Sequence, residues 1–194
     1  MNTLETDILV LTFDDIWLLT NELAKKILDS NLKPDILIGI ARGGLVVTRI
    51  LSDIMDIFSV ATIGVGFYDG IKETKKEPIL TQELQTDLTN KKVLLIDDVS
   101  DTGKSFEFAV EYLQRRKLQI LQTAALHYKP HSIFKPDFFI KETSSWIVYP
   151  WEYMEFTRLF YTNEKEAGHD KATIAQKLRI INMPEIVIQE VLEI

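Results

Sequence analysis

The sequence predicts an α/β protein: a doubly wound, mainly parallel sheet with helices on both faces. Three observations carry that expectation. Residues 36–40 (Ile-Leu-Ile-Gly-Ile) and 93–96 (Val-Leu-Leu-Ile) are apolar without alternation, as strands buried on both faces are. Each runs into a short loop of glycine or small polar residues. Each loop then opens apolar residues at helical spacing: Leu45, Val46, Ile50, Leu51 and Ile54 after the first, and Phe106, Ala109, Val110 and Leu113 after the second. Strands that alternate with helices in this way pair in parallel.

Taken in order, residues 13–29 place Ile16, Leu19, Leu23 and Ile27 on one helical face, with Thr12 or Asp14 as N-cap. Lys33-Pro34-Asp35 breaks that helix before the strand at 36–40. Residues 58–67 are β-branched and partly alternating, which predicts a strand. Tyr68-Asp69-Gly70 then opens a charged stretch to about residue 90, with Lys72, Lys75, Lys76 and Pro78, that reads as a mobile hairpin or loop. The strand at 93–96 ends in Asp97 and Asp98, and a helix runs from about Ser105 to Lys117. Further strands are expected at 120–126, 137–140 and 146–149, the last ended by Pro150. Two short helices, 171–181 and 184–192, close the chain. This predicts one domain over 1–162 and a helical C-terminal tail over 163–194.

The 194 residues, 46% of them hydrophobic, suffice for one good core. No run of 18 apolar residues indicates a membrane span, and the N-terminus lacks the basic-then-apolar order of a signal peptide. With no cysteine, the chain forms no disulfide and fits the cytoplasm. A net charge of −7 and the absence of a basic stripe argue against nucleic-acid binding, including by the two C-terminal helices. His127, His131 and His169 share no metal-ligand spacing and read as ordinary polar residues.

The chemistry concentrates at residues 97–105, Asp-Asp-Val-Ser-Asp-Thr-Gly-Lys-Ser. Loop amides at a helix N-terminus attract an anion, Thr102 and Ser105 add hydroxyls, and Gly103 permits close approach. A ligand with a phosphate at one end and hydroxyls or a metal near its middle matches both halves of this segment. A P-loop is excluded, because its first glycine would fall at Asp98.

Together with its strand, the segment resembles the phosphoribosyl-pyrophosphate (PRPP) motif of type I phosphoribosyltransferases, and the similarity runs from about residue 36 to 160. The resemblance implies that fold, with residues 66–90 as a flexible hood that closes over PRPP and excludes water. It implies that Asp101, Thr102, Gly103, Lys104 and Ser105 hold the 5-phosphate. Asp97 and Asp98 would face the ribose hydroxyls or metal-bound water. Arg42, Gly43 and Gly44 match the pyrophosphate loop, and Arg158 matches an arginine that contacts pyrophosphate.

Within the family the chain is most similar to the 6-oxopurine branch, which uses hypoxanthine, guanine or xanthine. Lys129 matches a lysine that donates to the 6-oxo group, Trp146 the aromatic that stacks on the base, and Ile147 a backbone that reads the base edge. Glu152 stands where those enzymes usually carry an Asp near the magnesium; its longer side chain favours contact through water. Asp101 matches the acid/base near purine N7. The implied cofactor is Mg2+, the implied substrates PRPP and a purine base, and the implied assembly a homo-dimer or homo-tetramer. Transfer to adenine or a pyrimidine, and a non-catalytic sensor of PRPP or a nucleotide, are the alternatives.

Overall fold

The computed structural model describes residues 7–67 and 77–193. They fall into two compact units, Trp17–Thr143 and a second made of Met1–Ile16 with Ser144–Ile194. Helix α1 (Phe13–Asp29) contributes to both.

In the larger unit α1 leads to β2 (Ile36–Ala41), α2 (Gly44–Ile54), β3 (Val60–Phe67), β4 (Pro78–Gln82), β5 (Lys92–Ser100), α3 (Lys104–Gln114), β6 (Ile120–Tyr128) and β7 (Phe138–Glu142). The sheet order is β4-β3-β2-β5-β6-β7, parallel throughout except for the β3–β4 pair. Ile36, Ile38, Ile40, Val93 and Leu95 bury one face against Phe106, Ala109 and Leu113 of α3. The opposite face carries Leu37, Gly39, Leu94 and Ile96, and α2 packs there: a Cβ on Gly39 would come within 2.6 Å of Thr48 Oγ1. The doubly wound, mainly parallel sheet expected from the sequence is therefore present.

The chain leaves β2 through α2 in one direction across the sheet, and leaves β5 through α3 in the other. Neighbouring β2 and β5 thus form a topological switch point, where a crevice opens beyond the carboxyl ends of the strands.

Some expectations need correction. Asp97 and Asp98 do not follow β5; they lie inside it, because pairing with β6 continues to Ser100 opposite Tyr128. Helix α3 stops at Gln114, short of Lys117, whose φ of 52° is left-handed. The stretch 66–90 includes the hairpin expected there, since β4 pairs antiparallel with β3, but it is not all solvated: Leu84 and Leu88 are buried in the core beneath α3. Residues 68–76 of the proposed hood lie outside the described residues.

The smaller unit holds β1 (Ile8–Val10), β8 (Trp146–Val148), α4 (Tyr153–Glu166), α5 (Lys171–Ile180) and α6 (Glu185–Leu192). Strand β8 pairs in parallel with β1, which the sequence reading did not assign, and these two form their own sheet. Thr12 caps α1, its Oγ1 accepting the Asp15 amide while Asp15 accepts the amide of Thr12. Helix α4, which periodicity does not announce, runs continuously through residue 162. Gly168, at φ 88°, ends it, and Asp170 caps α5 by accepting the Thr173 amide at 2.8 Å. Val148, Phe160, Ile174, Leu178 and Ile188 bury a common core, into which α5 and α6 pack. Among the described residues no helix is long and apolar enough to cross a membrane.

Candidate active site

The loops that leave β2, β5 and β6 come together at the carboxyl ends of the central strands. At the end of β2 the Ala41–Arg42 peptide is cis, Arg42 is exposed, and α2 begins at Gly44. Both glycines here are sterically required. A Cβ on Gly44 would stand 2.3 Å from the Ile96 carbonyl oxygen, and one on Gly43 would stand 2.3–2.5 Å from the carboxylate of Asp98. The fold therefore presses the Arg42-Gly43-Gly44 loop directly onto the acidic pair.

Asp97 and Asp98 are buried. The Asp97 carboxylate accepts the Asp98 amide at 3.0 Å and also the Gly44 amide. Burial, and then the adjacent Asp98 charge, nevertheless push its pKa well above the carboxylate range. Two carboxylates held together in this way attract a cation or hydroxyl donors. Magnesium takes one or two protein carboxylates and fills its remaining positions with phosphate oxygens and water. The pair fits that requirement, and among the described residues no cluster of three or more metal-ligating side chains competes with it.

The loop after β5 turns at Gly103, where φ is 85°, so the backbone there requires glycine, and α3 starts at Lys104 without a side-chain cap from the N-cap position. Asp101 and Thr102 are exposed, while Lys104 and Ser105 are half-buried. The loop after β6 clamps this one. Lys129 and Ile133 donate their amides to the carbonyls of Ser100 and Thr102, both at 3.0 Å. Ser100 Oγ donates to the Phe134 carbonyl at 2.7 Å, and Phe134 stacks on Phe106.

Lys129 is buried at the end of that clamp. Burial lowers its pKa, and the charge of Asp101 opposes the shift. His131 Nε2 lies 3.1 Å from Asp101 Oδ1. The sequence reading passed over His131 as polar surface; its place two residues after Lys129, in a Pro130 turn, was the available signal. His127, also passed over, is buried in β6, and desolvation lowers its pKa to about 4.

The structure thus brings together Arg42, Gly43, Gly44, Asp97 and Asp98, and sets Asp101 to Ser105 beside Lys129. Trp146, Ile147, Glu152 and Arg158 belong to the smaller unit. There Trp146 is half exposed, Glu152 is the N-cap of α4, and Arg158 is exposed on that helix. Trp146 donates its amide to Asp7 O, and Val148 O accepts the Leu11 amide, so these two residues face β1. By the alternation of a parallel ladder, the N–H and C=O of Ile147 point away from β1, along the open edge of this sheet.

Residues 13–156 match the family model described as phosphoribosyl transferase domain. The chain belongs to the phosphoribosyltransferase domain family. Of the candidate residues only Arg158 falls outside the matched stretch. Among phosphoribosyltransferases, the chain is 26% identical to xanthine phosphoribosyltransferase 1 of Saccharomyces cerevisiae, across 86% of this chain and 99% of that one. It is 30% identical to hypoxanthine-guanine phosphoribosyltransferase of Staphylococcus aureus, across 63% of this chain and 69% of that one. The crystal structure of a purine phosphoribosyltransferase from Pyrococcus horikoshii superimposes with a TM-score of 0.68 at 37% identity, covering 75% of this chain and 94% of the other.

Proposed function

We propose that this protein is a magnesium-dependent phosphoribosyltransferase that joins PRPP to a 6-oxopurine and releases pyrophosphate. The observation that carries the reading is the packing of Gly43 and Gly44 on Asp97 and Asp98, beside the 101–105 anion loop, at the switch point of the sheet. The three relatives, which act in turn on xanthine, on hypoxanthine and guanine, and on purines by their names, support the choice of base class.

In this reading the amides and hydroxyls of Asp101 to Ser105 hold the 5-phosphate at the start of α3. Asp98, with Asp97 behind it, takes the ribose hydroxyls or water on the magnesium, and Arg42 with the two glycines takes the pyrophosphate. When bound, magnesium neutralises charge on the leaving group. Arg158 and Glu152 are assigned to pyrophosphate and to metal-bound water. Lys129, a donor only, suits the 6-oxo group and disfavours an amino group at that position. Trp146 offers its half-exposed ring for stacking, and Ile147 the backbone edge that faces away from β1 for the base.

As the bond from C1 to pyrophosphate breaks, purine N9 forms the new bond. Asp101 then accepts the proton that the purine loses, and its negative charge also favours the electron-poor ribosyl centre. Purified protein given PRPP and magnesium should form nucleotide from hypoxanthine, guanine or xanthine and not from adenine or uracil. Asp101→Asn should slow the chemical step about 100-fold or more while PRPP affinity stays close to wild type. Product from adenine or uracil would overturn the base assignment, and wild-type turnover in Asp101→Asn would overturn the acid/base role. PRPP binding without product from any base would favour a sensor instead.

A further inference from the structure

We infer that His131 is a positioning residue for Asp101: its ring holds one carboxylate oxygen so that the other is presented to the purine. The inference rests on the proposed transfer reaction and extends it to a residue outside the 97–105 motif.

The backbone places His131 firmly. Lys129-Pro130-His131-Ser132 is a turn closed by the Ser132 amide donating to the Lys129 carbonyl at 2.9 Å. Pro130 sets φ at the second position of that turn, so His131 is delivered to the third. Ser132 and Ile133 then anchor the far side. Ser132 Oγ lies 2.9 Å from Ser100 Oγ, and the Ile133 amide reaches Thr102. Gly103 lets the two loops approach closely, because a Cβ there would meet the Phe134 nitrogen at 2.5 Å and Ser132 Oγ at 2.6 Å. The loop bearing His131 is therefore stapled to the loop bearing Asp101 on both sides of their contact.

The chemistry of the contact follows from its acceptor. An ionised carboxylate only accepts, so Nε2 of His131 carries the proton and donates to Oδ1 of Asp101. One oxygen is engaged and Oδ2 is left for the base. Lys129 also interacts with the charge of Asp101, and it is committed to the 6-oxo group in the proposed reaction. Holding the carboxylate at one rotamer is then the work of His131. Both side chains are more than half exposed, 61% and 58%, so the pair adds little to stability and its removal should not unfold the protein.

The test combines kinetics with a measurement that does not depend on turnover. His131→Ala should lower kcat between about 10- and 100-fold while KM for PRPP stays within about twofold, the loss a misplaced group brings. His131→Gln, which restores an N–H at the end of a side chain of similar reach, should recover most of the rate. Unchanged kcat in His131→Ala, or no recovery in His131→Gln, would overturn the inference. Separately, the 15N shifts of the His131 ring should report the Nε2–H tautomer in the wild type and a shifted mixture in Asp101→Ala. Identical ring shifts in the two proteins would overturn it even if no base were turned over. Absence of wild-type turnover alone would instead count against the transfer reaction.

Discussion

Gly43→Ala probes the contact on which the functional reading depends. Gly43 has φ −58° and ψ −46°, ordinary helical values that alanine adopts freely. Backbone strain is therefore absent, and the lower entropy of the unfolded alanine chain alone would stabilise the protein by about 0.4–1 kcal/mol. Opposing this, the new Cβ would stand 2.3 Å from Oδ2 and 2.5 Å from Cγ and Oδ1 of Asp98, where ordinary contact begins at 3.4 Å. The carboxylate must retreat by about 1 Å, an overpacking that costs about 1–3 kcal/mol. Asp98 is 6% exposed and sits within β5, so it has little space to move into. If a similar energy is lost from ligand binding, PRPP affinity falls by about 5- to 150-fold. Titration calorimetry with PRPP and magnesium, beside thermal unfolding, measures both effects. A variant that binds PRPP within about twofold of wild type and is no less stable would refute the argument. Gly44→Ala should be worse, because its Cβ meets the backbone carbonyl of Ile96 rather than a side chain.

Three further outcomes are expected. His127 holds a proton below about pH 4 when folded and below its ordinary 6.5 when unfolded, so stability should fall by about 3 kcal/mol as pH drops through that window; denaturant titrations at several pH values check this, and His127→Gln should flatten the dependence. In the smaller unit, Glu164 is buried and paired with Lys177 and with His169 at 2.8 Å. Lys177→Met should therefore cost about 3–5 kcal/mol in urea unfolding, and a change below about 1 kcal/mol would show that His169 suffices. Among the described residues Thr48 Oγ1 is buried without a hydrogen-bond partner, so Thr48→Val should raise stability by about 1 kcal/mol, read as an increase in Tm.

By itself the sequence determined the α/β class, the strands at the centre of the sheet and the acidic pair with its anion loop. Fully buried parallel strands and strand-to-helix loops announce themselves over a few consecutive residues, as at 36–44 and 93–105. Short-range order also marked α1, α5 and α6. Tertiary structure decided what rests on distant partners. Strand β1 has only three residues and exists by pairing with β8, some 140 positions away in the chain. The extension of β5 through Asp97 and Asp98 depends on β6, whose pairing overrides the low strand preference of aspartate. Leu84 and Leu88 lie in a charged stretch and are buried only because the core under α3 receives them. The approach of Gly43 to Asp98 and of His131 to Asp101 joins loops 55 and 30 residues apart. Spacing within the chain carries no record of such contacts, because the winding of the sheet about its switch point creates them.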